Sequence, residues 1–101
     1  MILIAYPSVV TYTHTATDDA AFRLIFTQLW LREANIHVAT NNAKYGDLNK
    51  QDASITTSDI ATFYDFNLAD LYFKNATGGS NTTIYLVGVV MTEGRKRELG
   101  I

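Results

Sequence analysis

Hydrophobic and polar positions alternate along this chain in short bursts, and the clearest burst lies near its end. In "TIYLVGVVM", Thr83 to Met91, a strand would put Ile84, Leu86 and Val90 on one face and Tyr85, Val87, Val89 and Met91 on the other. Both faces are apolar, so such a strand needs cover on both sides. Upstream, "SVVTYTHTAT" (Ser8 to Thr17) is β-branched and alternates loosely, with Val10, Tyr12 and His14 on one side, which predicts a second strand. "IHVAT" (Ile36 to Thr40) predicts a short strand that ends in a long polar loop, "NNAKYGDLNKQDAS", marked by Asn41, Asn42, Gly46, Asp47 and Asn49. In "DIATFYDFNLADLYFK" the residues Ile60, Thr62, Tyr64 and Phe66 fall on one face, and a further short strand follows around Leu71 to Phe73. "NATGGSN" predicts a hairpin-type connection whose Gly78-Gly79 pair admits positive φ. No internal repeat and no linker divides the chain, so a single domain is expected.

One segment fits two periods. Over "TDDAAFRLIFTQLWLREAN" (Thr17 to Asn35) Thr17 can cap a helix, Asp18 and Asp19 suit its first turn, and Arg32 lies near its end. Phe22, Ile25, Phe26 and Leu29 would then form one stripe. From about Phe22 a strand also fits, with Ile25, Thr27, Leu29 and Leu31 alternating against Leu24, Phe26, Gln28 and Trp30. Leu24 and Leu31 fall off the helical stripe and strands flank the segment, yet local pattern alone favours the helix.

Composition narrows the class. The 101 residues are 48 % hydrophobic and 18 % charged, which suits one globular domain with a single core. No apolar run approaches the roughly 20 residues of a membrane-spanning helix. Met1 to Tyr6 is apolar, but it lacks a basic start and a small-residue cleavage site, and Pro7 interrupts it; it is expected to belong to the mature chain. Cysteine is absent, which excludes disulfides, zinc–thiolate sites and thiol nucleophiles. A net charge of −2 argues against a polyanion partner, and neither nucleic acid nor membrane is expected to be one. Charge is uneven all the same: "EGRKRELGI" gathers Arg95, Lys96 and Arg97 beside two glutamates.

From Phe22 to Met91 the order of features resembles that of small β-sandwich proteins encoded among phage head and tail genes, the capsid decoration (cement), head-fibre and adaptor proteins. The matching residues are Leu68, Asp70, Leu71, Tyr72, Lys74, Gly78 or Gly79, and the run Ile84 to Val89 within "DFNLADLYFKNATGGSNTTIYLVGV". The apolar N-terminus and the basic C-terminus depart from the family pattern. The resemblance implies a strand over Phe22–Glu33, with room for a short helix near residues 18–22. It also implies a virion location, a partner such as the major capsid protein or another virion protein, and a homotrimer, because decoration proteins of this kind sit on three-fold positions.

The expected fold is an all-β antiparallel sandwich, jelly-roll-like, of about seven strands. Residues 1–7 would be an N-terminal arm and residues 93–101 a basic tail. Chemistry finds little footing. His14 and His37 have no acidic or nucleophilic neighbour in sequence, and adjacent Asp18-Asp19 would point apart in a strand. "GDLNKQD" sets Asp47, Asn49 and Asp52 at spacings like those of a calcium loop, but without the central glycine, and with Ser58 where the bidentate glutamate belongs, so it reads as a solvated loop. Asn75-Ala-Thr77 and Asn81-Thr-Thr83 fit the glycosylation pattern and read as turn residues. No enzyme, metal or cofactor is expected. The second face of Thr83–Met91 is expected to meet another subunit rather than the chain's own Ile2–Tyr6 segment. The candidate interface is therefore Tyr85, Val87, Val89 and Met91, with Ile2, Ile4 and Tyr6 and the cations Arg95, Lys96 and Arg97 as arms. The other class that fits is a carbohydrate- or host-surface-binding module using the aromatics and the Asn41–Asp52 loop.

Overall fold

The computed structural model describes residues 8–101. Seven antiparallel strands form two sheets: β1 (Val9–Thr15), β2 (Trp30–Ala39), β3 (Ala43–Gly46), β4 (Ala53–Ile55), β5 (Ile60–Asn67), β6 (Tyr72–Asn75) and β7 (Thr83–Val90). A long sheet runs β1-β7-β2-β5, and a short sheet runs β4-β3-β6. The expected all-β sandwich of about seven strands is the observed fold.

The core lies between the inner faces of the sheets. Leu31, Ala34, Ile36 and Val38 of β2 and Ile84 and Leu86 of β7 are buried against Ala43, Ile55, Leu71 and Phe73 from the other layer. Gly88 continues the inner face of β7 because no side chain fits there: a Cβ would stand 2.9 Å from Leu31 Cδ1 and 3.3 Å from Leu86 Cδ2. β2 is longer than the strand expected at Ile36–Thr40. A register shift between Leu31 and Glu33 leaves both Arg32 and Glu33 exposed while Leu31 and Ala34 point inward. That bulge spaces the inner residues three apart, which imitates a helix in sequence.

Residues 18–29 form neither the helix nor the strand that their pattern admits, and residues 18–20 are a bend without the short helix expected there. The segment is a strap along the edge of the short sheet. Phe22 exchanges two backbone hydrogen bonds with Phe73, at 2.8 and 2.7 Å. Leu24, Ile25 and Leu29 then pack on the core, while Phe26 stands in solvent. A strap satisfies its apolar residues one by one, so no single period governs it. The one α-helix among the described residues, α1 (Glu93–Glu98), forms instead from the expected C-terminal tail.

Two loops differ from expectation. The polar run after Asn42 contains β3 and leads into β4, and only its middle is a loop. There the Asp47 carboxylate accepts the N–H groups of Asn49 (2.8 Å) and Lys50 (3.0 Å), and a Cβ on Gly46 would collide with the Lys50 carbonyl. Asp47 thus closes its own turn, in keeping with a loop rather than a calcium site. "NATGGSN" is no hairpin, because β6 and β7 belong to different sheets; it is a crossover, with Gly79 at φ 77°.

Asn75 holds that crossover. Its amide nitrogen donates to Asp18 O (3.1 Å), Asp19 Oδ1 (2.9 Å) and Asn81 Oδ1 (3.0 Å), and its oxygen accepts the N–H of buried Thr82 (2.9 Å). Asp19 also accepts the Gly79 N–H at 2.9 Å. Hydrogen bonds from Asn75 and then Gly79 hold the Asp19 carboxyl below its ordinary value. Replacing Asn75 by Ala should cost about 2–3 kcal/mol in urea unfolding, because the Thr82 N–H is left buried without an acceptor. An unshifted midpoint would show that the crossover is held by something else.

Candidate functional site

The register of the long sheet lines its outer side chains into rows. Val9, Val89, Glu33 and Tyr64 form one row across the four strands. Thr11, Val87, Asn35 and Thr62 form the next, and Thr13, Tyr85, His37 and Ile60 the third. Within this face Val9, Ile60, Tyr64, Tyr85 and Val87 remain open, from 42 % exposed (Tyr85) to 68 % (Ile60). The rows carry one formal charge, Glu33. The face is broad, preformed by backbone ladders, and apolar by the standard of a protein surface.

The expected interface residues divide on inspection. Tyr85, Val87 and Val89 lie on the outer face, Val89 half-buried. Met91 does not: it stands beyond the last residue of β7, donates its N–H to Trp30 O at 3.0 Å and is 3 % exposed. Strict alternation through Val90 misplaced it, because the chain leaves the strand there. Ile2, Ile4 and Tyr6 lie outside the described residues. The alternation of β5 also changes face partway. Ile60, Thr62 and Tyr64 point outward, but Asp65 adopts φ 50° and the next residue, Phe66, packs on the core. Sequence reasoning missed Val9, Thr11, Glu33 and Asn35 as members of the face, since only strand pairing shows which residues are neighbours.

The basic C-terminus is not a free arm. A six-residue helix is unstable alone in water, and α1 is fixed by two devices. Thr92 Oγ1 accepts the Arg95 N–H at 3.1 Å, and the Arg95 guanidinium donates in a fork to Asp65, Nη2–Oδ2 2.7 Å and Nε–Oδ1 3.2 Å. Arg95 also meets Glu98 (3.1 Å), and Lys96 meets Glu93 (3.2 Å). Of the three cations, Arg97 makes no ion pair among the described residues. The guanidinium beside Asp65 draws that carboxyl below its ordinary value, despite desolvation, with a smaller contribution from Arg32.

Two grooves lie away from this face. One, about 470 Å³, is lined by Arg23, Asp47, Leu48, Asn49, Ala69, Asp70 and Tyr72. In it the Arg23 guanidinium sits 5.1 Å from the Phe26 ring centre and 5.6 Å from that of Tyr72. The other, about 300 Å³, runs between Trp30, Phe63, Phe66 and Leu71. The His14 ring lies 4.7 Å from that of Phe22 and the His37 ring 6.0 Å from that of Tyr85, both tilted, each as an aromatic neighbour. No group of carboxylates and histidines among the described residues is placed to hold a metal ion.

No family model matches the chain, and no curated protein sequence matches it. Solved structures of similar shape exist. ToxT from Vibrio cholerae strain SCE256, with an unsaturated fatty acid bound, gives a TM-score of 0.56 at 9 % identity, over 85 % of this chain and 31 % of that one. ToxT from Vibrio cholerae O395 gives 0.52 at 12 % identity, over 93 % of this chain and 36 % of that one. The SPBc2 prophage-derived protein YomS gives 0.49 at 15 % identity, over 88 % of this chain and 99 % of that one. The chain spans about a third of the length of the ToxT chains. At such identities the likeness to ToxT is one of fold.

The Arg95–Asp65 fork predicts how α1 responds to acid. A carboxyl held below its ordinary value stabilises the docked helix at pH above about 3.9 and loses that effect as pH falls through the lowered value. Asp65→Asn keeps a residue that tolerates the left-handed backbone, but it removes the charge and turns one of the fork's two acceptor oxygens into a donor. In that variant the amides of Arg95 to Leu99 should exchange faster while those of β2 and β7 keep their protection. Equal protection in α1 would show that the Thr92 cap suffices.

Proposed function

We propose that this chain is a non-enzymatic structural component of a phage virion, seated on a neighbouring particle protein by the outer face of its long sheet. The open face is the observation that carries this reading. Its apolar members are short or rigid (Val9, Val87, Ile60, Tyr64, Tyr85) and stand on a hydrogen-bonded sheet, so little side-chain freedom is lost when a partner covers them. Tyrosines with few charges around them also match the composition of an interface centre rather than of a solvated surface. The resemblance of "DFNLADLYFKNATGGSNTTIYLVGV" to decoration, head-fibre and adaptor proteins supplies the biological setting, with the major capsid protein as first-choice partner. Binding across several rows would cement a lattice or attach a fibre without any reaction.

The Arg23 groove favours a second reading, a saccharide-binding module. Tyr72 offers a ring, and Asp70, Asn49 and Asp47 offer polar groups, along one channel that includes the loop singled out in the sequence, with Phe26 beside its Arg23. The two readings use different surfaces and so separate cleanly. Replacing Val87 and Val89 together by Lys should leave the fold intact and weaken co-sedimentation with capsid shells roughly 100-fold, at about 1.5 kcal/mol per valine. Saturable binding on a glycan array that Tyr72→Ala abolishes, with no affinity for shells, would replace the virion reading by the saccharide one.

A further inference from the structure

We propose that two copies of this chain join edge to edge through β1, antiparallel, about a two-fold axis at Tyr12, to make one continuous eight-stranded sheet. Backbone geometry carries this pairing, independently of the virion reading.

β1 is the open edge of the long sheet, and its register against β7 runs without a break. The hydrogen bonds flanking the strand settle which groups remain free. Ser8 O accepts the Val90 N–H at 2.8 Å, and the Ala16 N–H donates to Thr82 O at 2.9 Å. Antiparallel bonding alternates residue by residue, so Val10, Tyr12 and His14 turn their backbone groups towards β7. Val9, Thr11, Thr13 and Thr15 turn theirs away, and no backbone partner meets them among the described residues.

Among the described residues nothing blunts this edge. "VVTYTHT" contains no formally charged side chain, no proline and no bulge, the devices by which sheet edges avoid pairing. The molecule's other edges are closed or interrupted. β5 is broken at Asp65 (φ 50°), β6 is already bridged by Phe22, and β4 has three residues.

The occupant follows from the sequence of the strand, which is close to its own antiparallel complement. With Tyr12 opposite the second copy's Tyr12, Thr11 faces the second copy's Thr13 and Val9 faces the second copy's Thr15. This register uses the outward N–H and C=O of all four odd residues from each copy; a shift by two residues either way leaves some unpaired. The facing side chains are Thr with Thr and Val with Thr on the outer face, favourable or neutral cross-strand pairs with no like charges opposed. The dimer would double the Val, Thr and Tyr face described above. It also departs from the three-fold arrangement implied by the family resemblance, since an isologous strand pair closes at two copies.

Sedimentation equilibrium and residue-resolved amide exchange on the unmodified chain test the pairing together. The expected result is a dimer in which the amides of Val9, Thr11, Thr13 and Thr15 gain at least about tenfold protection as concentration rises through the dimerisation range. Those of Val10, Tyr12 and His14 should be protected throughout. Thr13→Pro removes an N–H that points away from β7, so it should yield a folded monomer. A monomer or a trimer at millimolar concentration would overturn the proposal. So would a dimer whose odd-numbered β1 amides exchange freely. Should Thr13→Pro fail to fold, the exchange pattern of the unmodified chain still shows whether β1 pairs.

Discussion

A sheet has two faces, and among the described residues the long sheet has only one of them covered. The long sheet commits ten residues to β2 and eight each to β5 and β7, while the layer opposite consists of strands of three and four residues. All the well-buried apolar side chains of β2 and β7 therefore point one way, into the gap filled by Phe73, Ile55 and Leu71. The rest of the structure follows from filling that single gap. Gly88 is bare so that Leu31 can enter, and β2 bulges so that Leu31 and Ala34 both reach inward.

The short layer is too narrow to close the core alone, and residues 22–29 close it as a strap. Its apolar residues, Phe22, Leu24, Ile25 and Leu29, seal the side of the core beside β6, and Leu29 is tied by its N–H to Asn67 Oδ1 at 3.1 Å and by its carbonyl to the Leu68 N–H at 2.9 Å. At one end of the sandwich polar groups do the equivalent work. Asn75, Asp19, Asn81, Thr82 and Asn41 satisfy one another where β6 leaves the short sheet for the long one, with Thr82 Oγ1 donating to Asn41 O at 2.7 Å. A crossover buried without those partners would strand backbone groups at a cost comparable to the loss of a core side chain.

With the core spent on one face, the other is left to be used. Its rows are set by the same ladders that build the core, so the surface is as rigid as the fold. The clearly shifted side chains, Asp19, Asp65 and Arg95, are each explained by a structural bond: the crossover in the first case, the docking of α1 in the others.

Much of this was legible in the sequence, and the division has a physical cause. Period-two alternation reports which side chains share a face of one strand. It therefore predicted β1, β7 and the outward set Tyr85, Val87 and Val89; the all-β class rested also on the resemblance to small phage β-sandwich proteins, since local pattern alone favoured a helix over Thr17 to Asn35. It does not report which strand lies beside which, so the crossover at Gly78-Gly79 looked like a hairpin and the rows joining Val87 to Thr11 and Asn35 were invisible. Where backbone geometry breaks the period, the pattern misleads. The β2 bulge broke the alternation at Arg32 and Glu33, the left-handed Asp65 turned Phe66 inward, and the exit from β7 buried Met91. Residues 93–98 carry the charges of a loose tail, and the Thr92 cap together with the placement of Asp65 within reach of Arg95 makes them a helix fixed to the sheet. Local pattern settled what each strand would bury; contacts between residues distant in sequence decided what would cover it.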